Sequence, residues 1–253
     1  MYDPNALHLE KAVNRHVVWH NAPKPCKSVL LLPGRECLDI AAGMEAGCID
    51  HTTKLTLFEY DLANTPHIEK WLEYRIPKNN WELLPYNILS KVGIEEVLCQ
   101  FAFNHFDVAY LDFCGEYTDK VEAFFASTWY VFNMCQFSCT FSLKFRNNRQ
   151  CKNRGKSYRL SDFKTSGCSK SVVDITAQEK AAWTMRMVLN DLHMYSKTTI
   201  GYFNVYREIG SALPLVFFSL PFIGAVAETV APIARERLPH KKYNGCSIGE
   251  LEA

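Results

Sequence analysis

Short apolar runs that alternate with helix-periodic segments leave a chain few ways to bury both. "SVLLL" (28–32), "KLTLFEYD" (54–61), "WELLPY" (81–86), "FDVAYLDFCGEY" (106–117) and "CQFSCTFSLKF" (135–145) each read as a strand. The segments between them read as helices: "CLDIAAGMEAG", "TPHIEKWLEYR" with Ile68 and Leu72 on one face, "GIEEVLCQF" and "TDKVEAFFASTWYVF". Later in the chain Thr176 and Glu179 form a capping box, and Ala182, Met185, Leu189 and Leu192 follow at helical spacing. Two last strands, "TTIGYFNVYRE" (198–208) and "LPLVFFSLPF" (213–222), are joined by a short Gly-Ser turn and form a hairpin. Strand–helix alternation predicts a parallel sheet, and the terminal hairpin adds one antiparallel strand. The expected fold is α/β: a Rossmann-like, mostly parallel seven-stranded sheet with helices on both faces and a C-terminal antiparallel hairpin.

A chain of 253 residues, 48 % of them apolar, can bury a sizeable core in one domain. Residues 1–27 read as an N-terminal extension, placed as a helix over the sheet edge; residues 28–222 form the domain, with an insertion at 144–170, and 223–253 a C-terminal tail. A formal net charge of +1 excludes a global electrostatic partner signal, so any such signal is local. The ten cysteines are irregularly spaced and several sit inside apolar runs. With no apolar core in "MYDPNALHLEKAVNRH" to act as a secretory signal, they read as reduced thiols of a cytoplasmic protein. Cys135, Cys139, Cys151 and Cys168 lack paired short spacings, so no metal site is expected. Residues 213–233 are long enough to span a bilayer, but Pro214, Pro221, Gly224, Glu228 and Pro232 cut the run, and no membrane association is expected.

"FDVAYLDFCGEY" delivers Asp112, Cys114 and Gly115 together at the end of an apolar strand. In open α/β sheets ligands bind at the carboxyl ends of the strands, so this stretch reads as one wall of a site.

The order of elements over residues 28–222, together with "LLLPGRE", "LTLFEYD" and "YLDFCG", resembles the class I, Rossmann-like S-adenosylmethionine-dependent methyltransferases. The resemblance implies S-adenosylmethionine as cofactor. It makes Leu32, Pro33, Gly34 and Glu36 the cofactor loop, with one glycine and with Glu36 in place of the acid that usually closes the first strand. It assigns the ribose hydroxyls to Glu59, followed by Tyr60, with Asp61 as the alternative acid. Asp112 and Phe113 complete the cofactor wall. In amino-methylating members the residue matching Asp112 accepts a hydrogen bond from the target amine, and an aromatic stacks on the base, a role open here to Phe113 or Tyr117. Cys114 raises a second chemistry, because carbon-5 pyrimidine methyltransferases use a cysteine there as nucleophile. A small residue in a tight turn is the alternative for Cys114, and a helix cap the alternative for Asp112.

Residues 144–170 hold nine Lys or Arg against a single acid, Asp162. Basic residues interleaved with aromatics suit a phosphate backbone with unpaired bases. Arg146, Arg149, Lys152, Arg154, Lys156 and Tyr158 are therefore the candidate substrate contacts; the alternative is a solvated loop. The expected function is methyl transfer to nucleic acid, DNA or RNA, at a base nitrogen. The rivals are a methyltransferase acting on a protein or small molecule, and a binding protein that keeps the fold without transfer.

Overall fold

In a computed structural model the β-prone runs become the strands of one sheet. The structure describes residues 9–143, 181, 184, 188, 189, 191, 192, 202–207 and 214–220. Its elements are α1 (Leu9–His20), β1 (Ser28–Leu31), α2 (Leu38–Glu45), β2 (Lys54–Phe58), α3 (Thr65–Glu73), β3 (Trp81–Leu84), α4 (Lys91–Phe103), β4 (Val108–Glu116), α5 (Asp119–Asn133), β5 (Gln136–Ser142), β6 (Tyr202–Arg207) and β7 (Pro214–Leu220).

The seven strands lie in the order β3-β2-β1-β4-β5-β7-β6. The first five run parallel, while β7 pairs antiparallel with both β5 and β6. The fold is thus a Rossmann-like, mostly parallel seven-stranded sheet closed by an antiparallel strand pair. The chain winds outward in both directions from β1 and β4, and that reversal opens a crevice at their carboxyl ends.

Alternation along the strands feeds a core on each face. Leu30, Ala109 and Leu111 join α4 and α5 in one core, which also takes Ala181, Val188 and Leu192. Val29, Leu31, Val108 and Tyr110 join α1, α2 and α3 in the other. Because side chains alternate with period two, Asp112 continues the Val108–Tyr110 row and points to the α1/α2 face.

The helix expected over the sheet edge lies instead across this face, with Val18 and Trp19 fully buried against α2 and the sheet. Gln136 Nε2 donates to the Val18 carbonyl at 2.7 Å, and the Cys48 thiol donates to the Trp19 carbonyl at 3.0 Å. Gly43 allows this approach: a Cβ there would stand 2.6 Å from Ile49 Cδ1 and 3.0 Å from Trp19 Cε2.

The predicted strands at 54–61 and 81–86 are shorter, because the chain leaves the sheet at Phe58 and Leu84 to build loops. Conversely, β4 runs on through the supposed pivot at Cys114 and Gly115. Its register against β5 shifts between Asp112 and Glu116, so the turn is a bulge inside the strand. Of the helical face expected at 182–192, Leu192 is buried and Leu189 packs against the core. Thr176, Glu179, Ala182, Met185 and residues 223–253 lie outside the described residues. Among the described residues no helix is long and apolar enough to cross a membrane.

Candidate functional site

The ends of β1, β2 and β4 surround a cavity of about 510 Å³, within the range of ordinary small-molecule sites. Leu32, Pro33, Gly34, Glu36, Glu59, Tyr60, Asp112 and Phe113 all line it.

The loop after β1 is built on left-handed backbone. Gly34 has φ +59°, and a Cβ there would meet nothing within 4 Å, so the backbone faces open space. Cys37 adopts φ 51°, an uncommon setting for a residue with a side chain, and its N–H donates to the Gly34 carbonyl at 3.3 Å. Burial pushes the Cys37 thiol up to about 12, so it stays protonated at neutral pH. Arg35 turns outward, where its Nη2 lies 3.2 Å from His67 Nε2 on α3.

Glu59 follows the last residue of β2 and is only 8 % exposed. Its Oε1 accepts from the Asp61 N–H at 2.9 Å and its Oε2 from Asn64 Nδ2 at 3.2 Å. These bonds fix the carboxylate and leave it acceptor capacity. Asp61 is exposed and accepts from the Ala63 N–H, bracing the loop. Geometry thus favours Glu59 over Asp61 as the acid that meets a ligand.

On the opposite wall, Asp112 Oδ2 lies 3.0 Å from Lys11 Nζ. One turn further along α1, Arg15 Nε donates to Asp39 Oδ1 at 2.6 Å. Burial pushes the Asp39 carboxyl up to about 6; Arg15 opposes that shift and Asp112 adds to it. Tyr110, buried beside both acids, is held well above its ordinary value by burial first and by Asp39 and Asp112 after it.

Lys11, Arg15 and Asp39 carry no motif and escape a reading of the sequence. The available signal is the four-residue spacing of Lys11 and Arg15, which puts both cations on one face of a helix. Asp112 does not cap a helix, since α5 begins at Asp119.

Tyr117 is not a substrate contact. It is fully buried, packs against Phe125 and Phe141, and donates its hydroxyl to Asp191. Phe113 stacks on Phe141 at 5.2 Å and so gives the cavity an apolar edge. The backbone of Cys114 lies in the bulge of β4, and its side chain lies outside the described residues. The basic insertion, with Arg146, Arg149, Lys152, Arg154, Lys156 and Tyr158, lies outside them as well.

No family model matches the sequence, and no curated protein matches it either. Among solved structures, a presumed O-methyltransferase from Klebsiella pneumoniae is 7 % identical over 86 % of this chain and 83 % of its own, with a TM-score of 0.47. Spermidine synthase from Thermotoga maritima is 14 % identical over 83 % of this chain and 59 % of its own, with a TM-score of 0.41. EvdMO1 is 12 % identical over 84 % of this chain, which spans only 40 % of that protein's length, with a TM-score of 0.44. At such values the assignment of the fold rests on the chain's own strand order: a Rossmann-like sheet with a cavity at the reversal between β1 and β4.

Proposed function

We propose that this chain is an S-adenosylmethionine-dependent methyltransferase that acts on nucleic acid, at a base nitrogen. The observation that carries the reading is the buried, doubly hydrogen-bonded Glu59 carboxylate, facing the same cavity as the Gly34 loop and Asp112. The residues fit the cofactor. A fixed carboxylate suits a vicinal diol, giving charge-assisted bonds and orientation together, and the open space beside Gly34 admits a ligand close to the backbone.

When bound, S-adenosylmethionine supplies an electrophilic methyl group on a sulfonium. The chain's own contribution is placement. Glu59 anchors the ribose, and the Leu32–Glu36 loop borders the rest of the cofactor. Asp112 orients the acceptor nitrogen and takes its hydrogen bond, while Phe113 keeps that wall apolar.

Nucleic acid as the substrate is supported by the nine cations of residues 144–170, with Tyr158 among them. The test is transfer of labelled methyl to single-stranded and duplex DNA and RNA by the full chain. Label in nucleic acid, abolished in Asp112→Ala and retained in Cys114→Ala, is the expected result. A covalent adduct with a 5-fluoropyrimidine substrate and an inactive Cys114→Ala variant would instead establish ring-carbon chemistry. Label confined to protein or small-molecule acceptors would overturn the substrate class.

A further inference from the structure

Two ion pairs stand in the wall opposite Glu59. Lys11 meets Asp112 at 3.0 Å and Arg15 meets Asp39 at 2.6 Å, with all four side chains between 9 and 13 % exposed. Both cations come from one face of α1, and both acids from the sheet and α2 beneath it. A lone buried carboxylate attracts a cation strongly, because little water screens it. Here each acid already holds one at hydrogen-bond distance, and the cluster of these four residues carries no net charge. The other acids lining the cavity, Glu36, Glu59 and Asp61, lie at the ends of β1 and β2, where a cationic donor is read to bind.

We propose that Lys11 sets the charge class of the acceptor: the site takes a nitrogen that arrives uncharged, as on a nucleobase, and turns away ammonium groups such as those of lysine side chains and polyamines. The inference rests on the methyltransferase reading and deepens it. An arriving ammonium must either displace Lys11, leaving that buried cation without its acid, or add a third positive charge to the cluster. Both are unfavourable where charges are poorly solvated. A neutral amine needs only a lone pair, and an ionised carboxylate that holds one cation keeps further acceptor positions. Lys11 therefore acts through Asp112 as a specificity-determining residue.

Calorimetry of S-adenosylhomocysteine with the wild-type chain comes first, and a failure to bind overturns the methyltransferase reading and this inference together. With that ligand bound, propylamine and putrescine are titrated while thermal unfolding is followed. The wild type should show no saturable response. Lys11→Ala should bind propylamine at least tenfold more tightly than the wild type. Lys11→Arg should restore exclusion, and Lys11→Ala with Asp112→Asn should lose the rescue. Equal responses in wild type and Lys11→Ala, or none in either, overturn the acceptor assignment and leave the cofactor reading standing. If Lys11→Ala does not fold, the wild type decides alone: saturable putrescine binding to its S-adenosylhomocysteine complex overturns the proposal, and its absence supports it.

Discussion

Arg15 and Asp39 join α1 to α2 across 24 positions of sequence, at 2.6 Å. Asp39 is 6 % exposed, so its charge depends on that guanidinium. Burial raises its carboxyl to about 6 from an ordinary 3.8. The folded state thus holds this proton more tightly than the unfolded chain does. Asp39 therefore contributes stability below pH 4 that is lost as pH rises to about 6, and is level above that. Removing Arg15 should exaggerate this. Arg15→Leu should lose about 3 kcal/mol at pH 8, where the acid is left buried and ionised, and clearly less at pH 5, where it can protonate. Urea unfolding at the two pH values checks this, and an equal loss at both would show that Asp39 does not depend on Arg15. None of this was legible in the sequence, because each pair joins residues that only the fold brings together. Glu59 was legible, since the apolar pattern of "LTLF" delivers it to the strand end. Tyr117 misled for a physical reason: the register shift after Asp112 breaks the period-two count that assigns side chains to faces.

At the scale of elements, the docking of α1 on α2 and the sheet decides where Lys11 and Arg15 stand. Gly43 is the pivot of that contact. Glycine inside a helix is ordinarily worth replacing, with alanine gaining about 1 kcal/mol in propensity. Here a Cβ would press on Ile49 and on the rigid ring of Trp19, at 2.6 and 3.0 Å. Gly43→Ala should therefore destabilise, by about 1–3 kcal/mol of overpacking, as read by chemical denaturation; a gain in stability would show that α1 sits more loosely. Element type and order were readable throughout, because each strand is apolar and each helix periodic. The lie of α1 was not. A reading from pattern alone put it over the edge, whereas Val18 and Trp19 carry it onto the face.

For the whole molecule, strand order brings the ends of β1, β2 and β4 around one cavity, and charge is concentrated away from the core in residues 144–170. If about four of those cations meet phosphates, affinity for duplex should fall with salt at a log–log slope near −3.6, about −0.9 per contact. Neutralising Arg146, Arg149, Lys152 and Arg154 together should flatten that slope; an unchanged slope and affinity would remove the insertion from the substrate surface. The central claim is that the cavity holds S-adenosylmethionine through Glu59. Calorimetric titration of the wild type and Glu59→Ala with that cofactor tests it most directly. One saturable site in the wild type is predicted, weakened about 10- to 150-fold in the variant by loss of roughly 1.5–3 kcal/mol of charge-assisted hydrogen bonding. No binding to the wild type, or equal affinity in a folded Glu59→Ala, would contradict it.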